Sequence, residues 1–155
     1  MDFNFVVGDA QVQLALSQLN KQVATRADVA VNKATMFIQT AIKTRTSKGK
    51  DWKGLKFQDY SNSYKEKRRK RGATTTPNLM WSGLMLSNMQ PKKTGKLKRK
   101  IFFPNQRENR KAAYHDFIGA GKGKVIRPFM SVDKKGKEWN KAYLIFHKEI
   151  NKIKL

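Results

Sequence analysis

The residues best suited to catalysis are three neighbours, Tyr114, His115 and Asp116. A histidine beside a carboxylate is a common arrangement for general-base catalysis, because the carboxylate can orient the imidazole ring. The sequence predicts a strand over residues 111–118, however, and adjacent residues of a strand point to opposite faces of a sheet. We therefore expect Tyr114 and His115 to pack at a sheet edge rather than to transfer protons.

Metal and cofactor chemistry find little support in the sequence. The chain has no cysteine, which excludes thiolate ligands and thiol nucleophiles. Its two histidines, His115 and His147, each lack the i, i+4 partner of a helical metal site. A metal-dependent nuclease is an alternative, but Asp51, Asp59 and Glu66 are scattered among cations rather than clustered. The prediction is a protein that is not an enzyme and that has no metal, no cofactor and no small-molecule substrate.

The strongest candidate for binding nucleic acid is a run of cations at residues 65–71. Six of these seven residues are basic: Lys65, Lys67, Arg68, Arg69, Lys70 and Arg71. A helix carrying them would contact phosphates without sequence preference and with a steep dependence on salt. No zinc finger or recognition-helix motif accompanies the run. Because most charge runs are solvated surfaces, contact with DNA or RNA is the alternative function rather than the first one.

The net charge of the whole chain is extreme for its length. The 155 residues include 34 Lys and Arg but only 11 Asp and Glu, which gives a formal charge of +23. Residues 1–42 are neutral overall, whereas residues 43–100 carry a net charge of +15. Such charge requires an anionic partner or acidic neighbouring subunits. The first residues form neither a secretory signal nor a membrane span, so we expect a soluble protein made in a cytoplasm, with no membrane partner.

The elements that must position these residues follow from hydrophobic spacing. Residues 9–44 lack proline and glycine and repeat apolar residues at helical spacing, which predicts a long helix that is either continuous or broken near Thr25. A continuous helix would project at one end and serve assembly; a kinked helix lying across its own sheet is the favoured alternative. Flexible loops are predicted at 44–56 and 72–78, on either side of a helix over 62–71 that Asp59 and Ser61 cap.

The remainder of the chain predicts a small sheet and two further helices. An apolar helix with Thr76 as its cap extends to about residue 89, and Gly83 within it indicates either a close backbone approach or a helix end. Strands are predicted at 97–103, 111–118 and 125–132, and a last helix at 137–150. The fold class is therefore α+β: one domain, residues 1–155, in which the long N-terminal helix packs on a small, mostly antiparallel sheet.

Three short motifs are candidates for contact with other subunits. In chain order their residues are Trp52 and Leu55; then Trp81, Gly83 and Met85; then Arg127, Pro128 and Phe129. An arginine next to a stiff proline and an aromatic ring suits an interface, because such residues often dominate binding energy. The alternative is that the aromatic side chains form the core of the protomer, which is favoured for Trp52 and Trp81 and equally supported for Phe129.

The order of these motifs resembles that of tailed-phage tail-completion or neck proteins of the HK97 gp10-like and Mu virion-morphogenesis type. Those proteins have a long N-terminal helix, Trp-x-x-Leu, a polar helix, Leu-x-x-Thr-Gly-x-Leu, a tyrosine-containing strand with a His-x-x-Gly-like segment, and Pro-x-Arg-Pro-Phe. Here Ser82 replaces the threonine, Met85 the leucine and Val125 the first proline of the last motif. The likeness covers residues 9–146.

The resemblance implies a structural virion protein that completes the tail or neck. Its copies would form a ring between the head connector and the tail, around the DNA channel. The implied partners are copies of itself, the phage portal or connector, tail proteins and packaged DNA contacted without sequence preference. The alternative is a sequence-nonspecific nucleic-acid-binding protein that acts outside a virion.

Overall fold

The computed structural model describes residues 10–80, 82–121 and 123–153. The helices are α1 (Ala10–Ser47), α2 (Asn62–Arg69), α3 (Leu84–Ser87), α4 (Gln106–Ala113) and α5 (Lys137–Ile150), and a π-helical turn, Tyr114–Ile118, follows α4 directly. Two antiparallel strands, β1 (Gln90–Gly95) and β2 (Lys98–Phe102), form one hairpin. This arrangement confirms the predicted α+β class.

Helix α1 is continuous over 38 residues, about 57 Å. Its second half packs against α5 and the hairpin, whereas residues 10–26 are exposed apart from the half-buried Leu19. The favoured prediction of a kinked helix lying across the sheet is therefore wrong, and one end does project. The helix does not break near Thr25, whose hydroxyl donates to the carbonyl of Lys21 one turn earlier. It continues to Ser47 and so includes the first four residues of the loop predicted at 44–56.

The predicted sheet is wrong in its strand composition. β2 lies where a strand was predicted, but its partner is β1 rather than residues 111–118. Residues 111–118 are helical, because Asn105 caps α4 by accepting the Arg107 amide at 2.8 Å and the residues that follow favour a helix. Residues 125–132 contribute no strand; Val125 makes a single bridge with Ala120.

Of the apolar helix predicted to reach residue 89, the described residues form a helix only at Leu84–Ser87. Leu79 and Gly83 have positive φ angles of 54° and 72°, which interrupt a right-handed helix. A Cβ on Gly83 would have nothing within 4 Å, so the expected close backbone approach is wrong and the glycine instead allows the turn that starts α3. The predicted capping of α2 is also wrong, since Ser61 makes no side-chain cap bond and Asp59 accepts the amide of Tyr60.

The core lies where α1, α3, α4 and the segment after the π-helical turn meet. Its buried apolar side chains are Ile42, Phe57, Leu79, Met85, Leu86, Met89, Phe103, Ala112 and Phe129. Helix α5, whose predicted bounds are confirmed, covers the other side of α1 and pairs with it through Lys33 and Glu149 at 2.8 Å. Both α2 and the hairpin lie at the periphery of this core.

Candidate functional site

The Arg127-Pro128-Phe129 motif lies at the centre of the molecule. The side chain of Phe129 is 0% exposed and packs against Phe103, with 6.4 Å between the ring centroids. Arg127 is also buried. In this protomer, two of the three motif residues therefore have no surface to offer a partner, which fits the core alternative.

Two buried charges hold this motif in place. One carboxylate oxygen of Asp116 accepts the amides of Phe129 and Met130 at 2.7 and 3.0 Å. The Arg45 guanidinium donates to the carbonyl of Phe129 at 2.7 Å and pairs with Glu138 of α5. Burial lowers the pKa of Arg45, and the charge of Glu138 opposes that effect. Sequence analysis missed Arg45 and Glu138, and no spacing signal connects residues so far apart in the chain.

The tryptophan motif contacts the arginine motif directly. Residues 51–55 form a tight turn in which a carboxylate oxygen of Asp51 accepts the amides of Lys53 and Leu55. The amide of Trp52 donates to the carbonyl of Pro128 at 3.3 Å. Trp52 is half-buried, while Leu55 is 62% exposed at the tip of the turn. Of the motif residues that the structure describes, Leu55 is the one that presents a large apolar side chain to solvent.

The middle motif is divided between core and surface. Met85 is buried in the core and Gly83 is half-buried at the start of α3. Trp81 lies outside the residues that the structure describes. The interface role predicted for these three residues stays a prediction.

Arg127 connects the core to the basic helix. Its guanidinium donates to the carbonyls of Gln58 and Asp59 at 3.0 and 3.2 Å, which fixes the segment that leads into α2. The rings of Tyr60 and Tyr64 contact edge to face at 4.9 Å between centroids. Tyr60 also has Arg127 at 5.0 Å and Arg68 at 5.3 Å from its ring centroid, distances at which cation–π attraction is effective.

The six predicted contact residues for nucleic acid fall into three groups. Arg68 is buried and donates to the carbonyl of Thr74, so it has a structural role. Lys65 is half-buried and pairs with Asp59, whose pKa is lowered mainly by this bond. The remaining cations are exposed on or just beyond α2: Lys67, Arg69, Lys70 and Arg71. These four residues, the basic patch, can reach a phosphate backbone.

The hairpin presents a second group of cations that sequence analysis did not single out. Lys92 and Lys100 face each other across the two strands, as do Lys93 and Arg99. Exposed lysines along the hairpin are Lys92, Lys93, Lys96, Lys98 and Lys100. Like charges directly opposite each other weaken a hairpin, and Asp28 of α1 offsets part of this by pairing with Lys93 and Arg99. The density of lysine in residues 92–100 was the signal available in the sequence.

A cavity of about 770 Å³ opens between α2 and the residues around His115. Its lining includes Tyr60, Arg68, His115 and Arg127. Burial, aided by the charge of Arg127, lowers the pKa of His115 to about 4, so the ring is neutral at pH 7. Asp116 is occupied by the amides of Phe129 and Met130 rather than by His115. The pair is therefore not arranged as a base with an orienting carboxylate.

The described residues offer neither a group of metal ligands nor a membrane-spanning helix. Within residues 10–80, 82–121 and 123–153, no three His, Asp or Glu side chains are grouped so that they could hold a metal ion. In the same residues no helix is both long and apolar enough to cross a membrane. Comparison with protein-family models, with curated proteins and with solved structures gave no match.

Proposed function

We propose that this protein is a structural component of a tailed-phage virion, a tail-completion or neck protein whose copies form a ring around the DNA channel. The observation that carries the proposal is the projecting half of α1, which exposes apolar residues away from the core of its own protomer. A helix of this kind suits contact between subunits, because exposed apolar stripes are most often covered by a partner.

The charge of the protein supports the same proposal. Its +23 charge makes a single copy repel others, unless acidic neighbours or DNA neutralise it. In a ring that encloses a genome and contacts the portal, DNA and neighbouring proteins are both available to neutralise this charge. The order of the three motifs, which resembles that of neck proteins, is the third support, and Trp52 and Pro128 of two of these motifs are joined by a hydrogen bond.

Two measurements test this proposal together. Sedimentation and electron microscopy of the purified protein should show closed rings, and labelling of intact particles should place the protein at the neck. A protein found in the lysate of infected cells but never in particles would overturn the virion role. Flanking portal, capsid or tail-tube genes would support it independently.

A second function, sequence-nonspecific binding of nucleic acid, is favoured by the basic patch. Four cations within residues 67–71 are exposed at one end of α2. Each phosphate neutralised on duplex DNA contributes about 0.9 to the slope of log affinity against log salt. The patch and the hairpin lysines together provide enough cations for binding that depends steeply on salt.

Replacing three patch residues tests this function. The triple variant K67Q/R69Q/K70Q should lower the salt slope for duplex DNA by about 2 to 3, if all three residues contact phosphates. Fluorescence anisotropy with labelled DNA at several salt concentrations measures the slope.

The matched control removes the same charge elsewhere. Lys134, Lys141 and Lys148 are exposed at and near α5, and K134Q/K141Q/K148Q should leave the slope nearly unchanged. Equal losses in the two triple variants would show that total charge, and not the basic patch, binds the DNA.

A further inference from the structure

One exposed apolar surface lies on the projecting half of α1. Val12, Leu16, Leu19 and Val23 are spaced four, three and four residues apart, so they share one face of the helix, the arm stripe. Leu16 is 54% exposed, and Val12 and Val23 are exposed as well. The same spacing continues into the second half of α1, where Ala27 and Ala30 are buried. The apolar face of the helix is therefore covered along one half only.

A second apolar surface is a groove on the body of the protomer. It has a volume of about 730 Å³ and runs between the hairpin and α5, over the second half of α1. Ala34 and Ile38 lie on its floor, and Leu97, Trp139 and Tyr143 line its walls. Tyr143 is 57% exposed, and Leu97 and Trp139 are also exposed. Aromatic walls with a small residue on the floor are suited to binding a helix.

The two surfaces match in length. The arm stripe extends from Val12 to Val23, and the α1 residues that line the groove extend from Val31 to Ile42. Each interval is 11 residues, about 17 Å along a helix axis. A helix with apolar residues at this spacing presents its side chains to a groove along the full length of the contact.

Charge favours the arm as the segment that meets another copy. Residues 10–25 contain a single charged side chain, Lys21, in a chain of net charge +23. Lys98 and Arg99 line the groove, so a basic partner segment would be repelled there. The arm can place apolar side chains in the groove while adding almost no charge. Helix α2 and the hairpin, which are both basic, would add positive charge to such a contact.

The arm of a protomer does not reach the groove of the same protomer. Leu16 and Val31 lie on one unbroken helix, 15 residues or about 22 Å apart. We infer that the arm stripe of one copy docks in the groove of the next copy, an inference that rests on the proposed ring. This contact joins two different surfaces, so it propagates from head to tail and closes into a ring when the rotation per subunit allows.

Cross-linking between two single-cysteine variants tests the docking. The natural chain has no cysteine, so each introduced thiol is unique. A mixture of Leu16→Cys and Tyr143→Cys proteins, treated with a short bis-maleimide, should give covalent heterodimers in high yield. Leu14 is 61% exposed but faces away from the arm stripe. A mixture of Leu14→Cys and Tyr143→Cys proteins should therefore give few heterodimers.

Two other cross-linking results would overturn the inference. Homodimers of the Leu16→Cys protein alone, without heterodimers, would show that two arms pair with each other. A mixture in which Leu14→Cys and Leu16→Cys react equally with Tyr143→Cys would show random collision.

Association of full-length protein gives a second readout. Leu16→Glu places a charge on the arm stripe and should shift the sedimentation of the assembly to that of the monomer. Leu14→Glu, which makes the same change on the opposite face, should leave the assembly intact. Equal effects of the two substitutions would overturn the inference.

The experiment separates the docking from the proposed function. Rings that persist in the Leu16→Glu protein would reject the docking and leave the neck role standing. Specific heterodimers that extend into open filaments, with no protein found in particles, would support the docking and reject the neck role.

Discussion

Replacing Phe129 by alanine is expected to lower the free energy of unfolding by about 3–5 kcal/mol, the usual cost of removing a fully buried aromatic ring. The side chain is 0% exposed and contacts Phe103 in the core. The backbone around it is fixed by Asp116 and Arg45, so the site has little freedom to collapse into the space. Urea unfolding followed by circular dichroism measures the change.

Leu55 provides the control for this prediction. Leu55 is largely exposed, so Leu55→Ala should change the free energy of unfolding by no more than about 0.5 kcal/mol. If Phe129→Ala left stability unchanged but abolished self-association, the ring of Phe129 would belong to an interface instead. The pair of variants therefore decides between the two roles that the sequence left open for the arginine-proline-phenylalanine motif.

The sequence predicted those elements whose own residues are sufficient to define them. α5 was predicted at its observed bounds, because its apolar residues repeat at helical spacing after a glycine. α1 was predicted as a long helix because residues 9–44 contain neither proline nor glycine and repeat apolar residues at helical spacing. Its projection was not the favoured prediction, since the apolar stripe is equally regular in its covered and uncovered halves.

The errors occurred in two segments whose structure is decided by residues outside the predicted element or by contact with the core. The segment before α3 is apolar enough for a buried helix, but Leu79 reaches the core with a positive φ angle. Residues 111–118 contain aromatic residues typical of strands, yet they continue the helix that Asn105 caps. In the first segment, burial of Leu79 in the core outweighs local propensity. In the second, the capped helix continues through these residues although Phe117 and Ile118 stay exposed.

The candidate sites were predictable only in outline. The cations of α2 were recognised from their density, but nothing in the sequence distinguishes the buried Arg68 from its exposed neighbours. The sequence around Arg45 is typical of a polar loop, but the charge of Arg45 lies in the core beside the carbonyl of Phe129. In a chain with so many cations, the few with structural roles are identified only by their contacts.

The stability of the protein should fall between pH 7 and pH 4.5 because of His115. Burial lowers the folded-state pKa of this ring from 6.5 to about 4, so the unfolded chain takes up a proton that the folded protein refuses. The contribution of the neutral His115 ring to the free energy of unfolding is constant above pH 7. It is lost as the pH falls from about 6.5 towards 4. Since one pKa unit corresponds to about 1.4 kcal/mol, the loss by pH 4.5 is roughly 2 kcal/mol.

His115→Asn removes the titrating group and is the control for this pH dependence. The difference in free energy of unfolding between wild type and variant should change by roughly 2 kcal/mol between pH 7 and pH 4.5. The lowered pKa values of Asp28, Asp59 and Glu149 do not interfere, because these carboxyl groups are present in both proteins and their contributions cancel in the difference. Parallel pH curves for the two proteins, or an NMR titration of His115 near pH 6.5, would show that the folded protein accepts the proton.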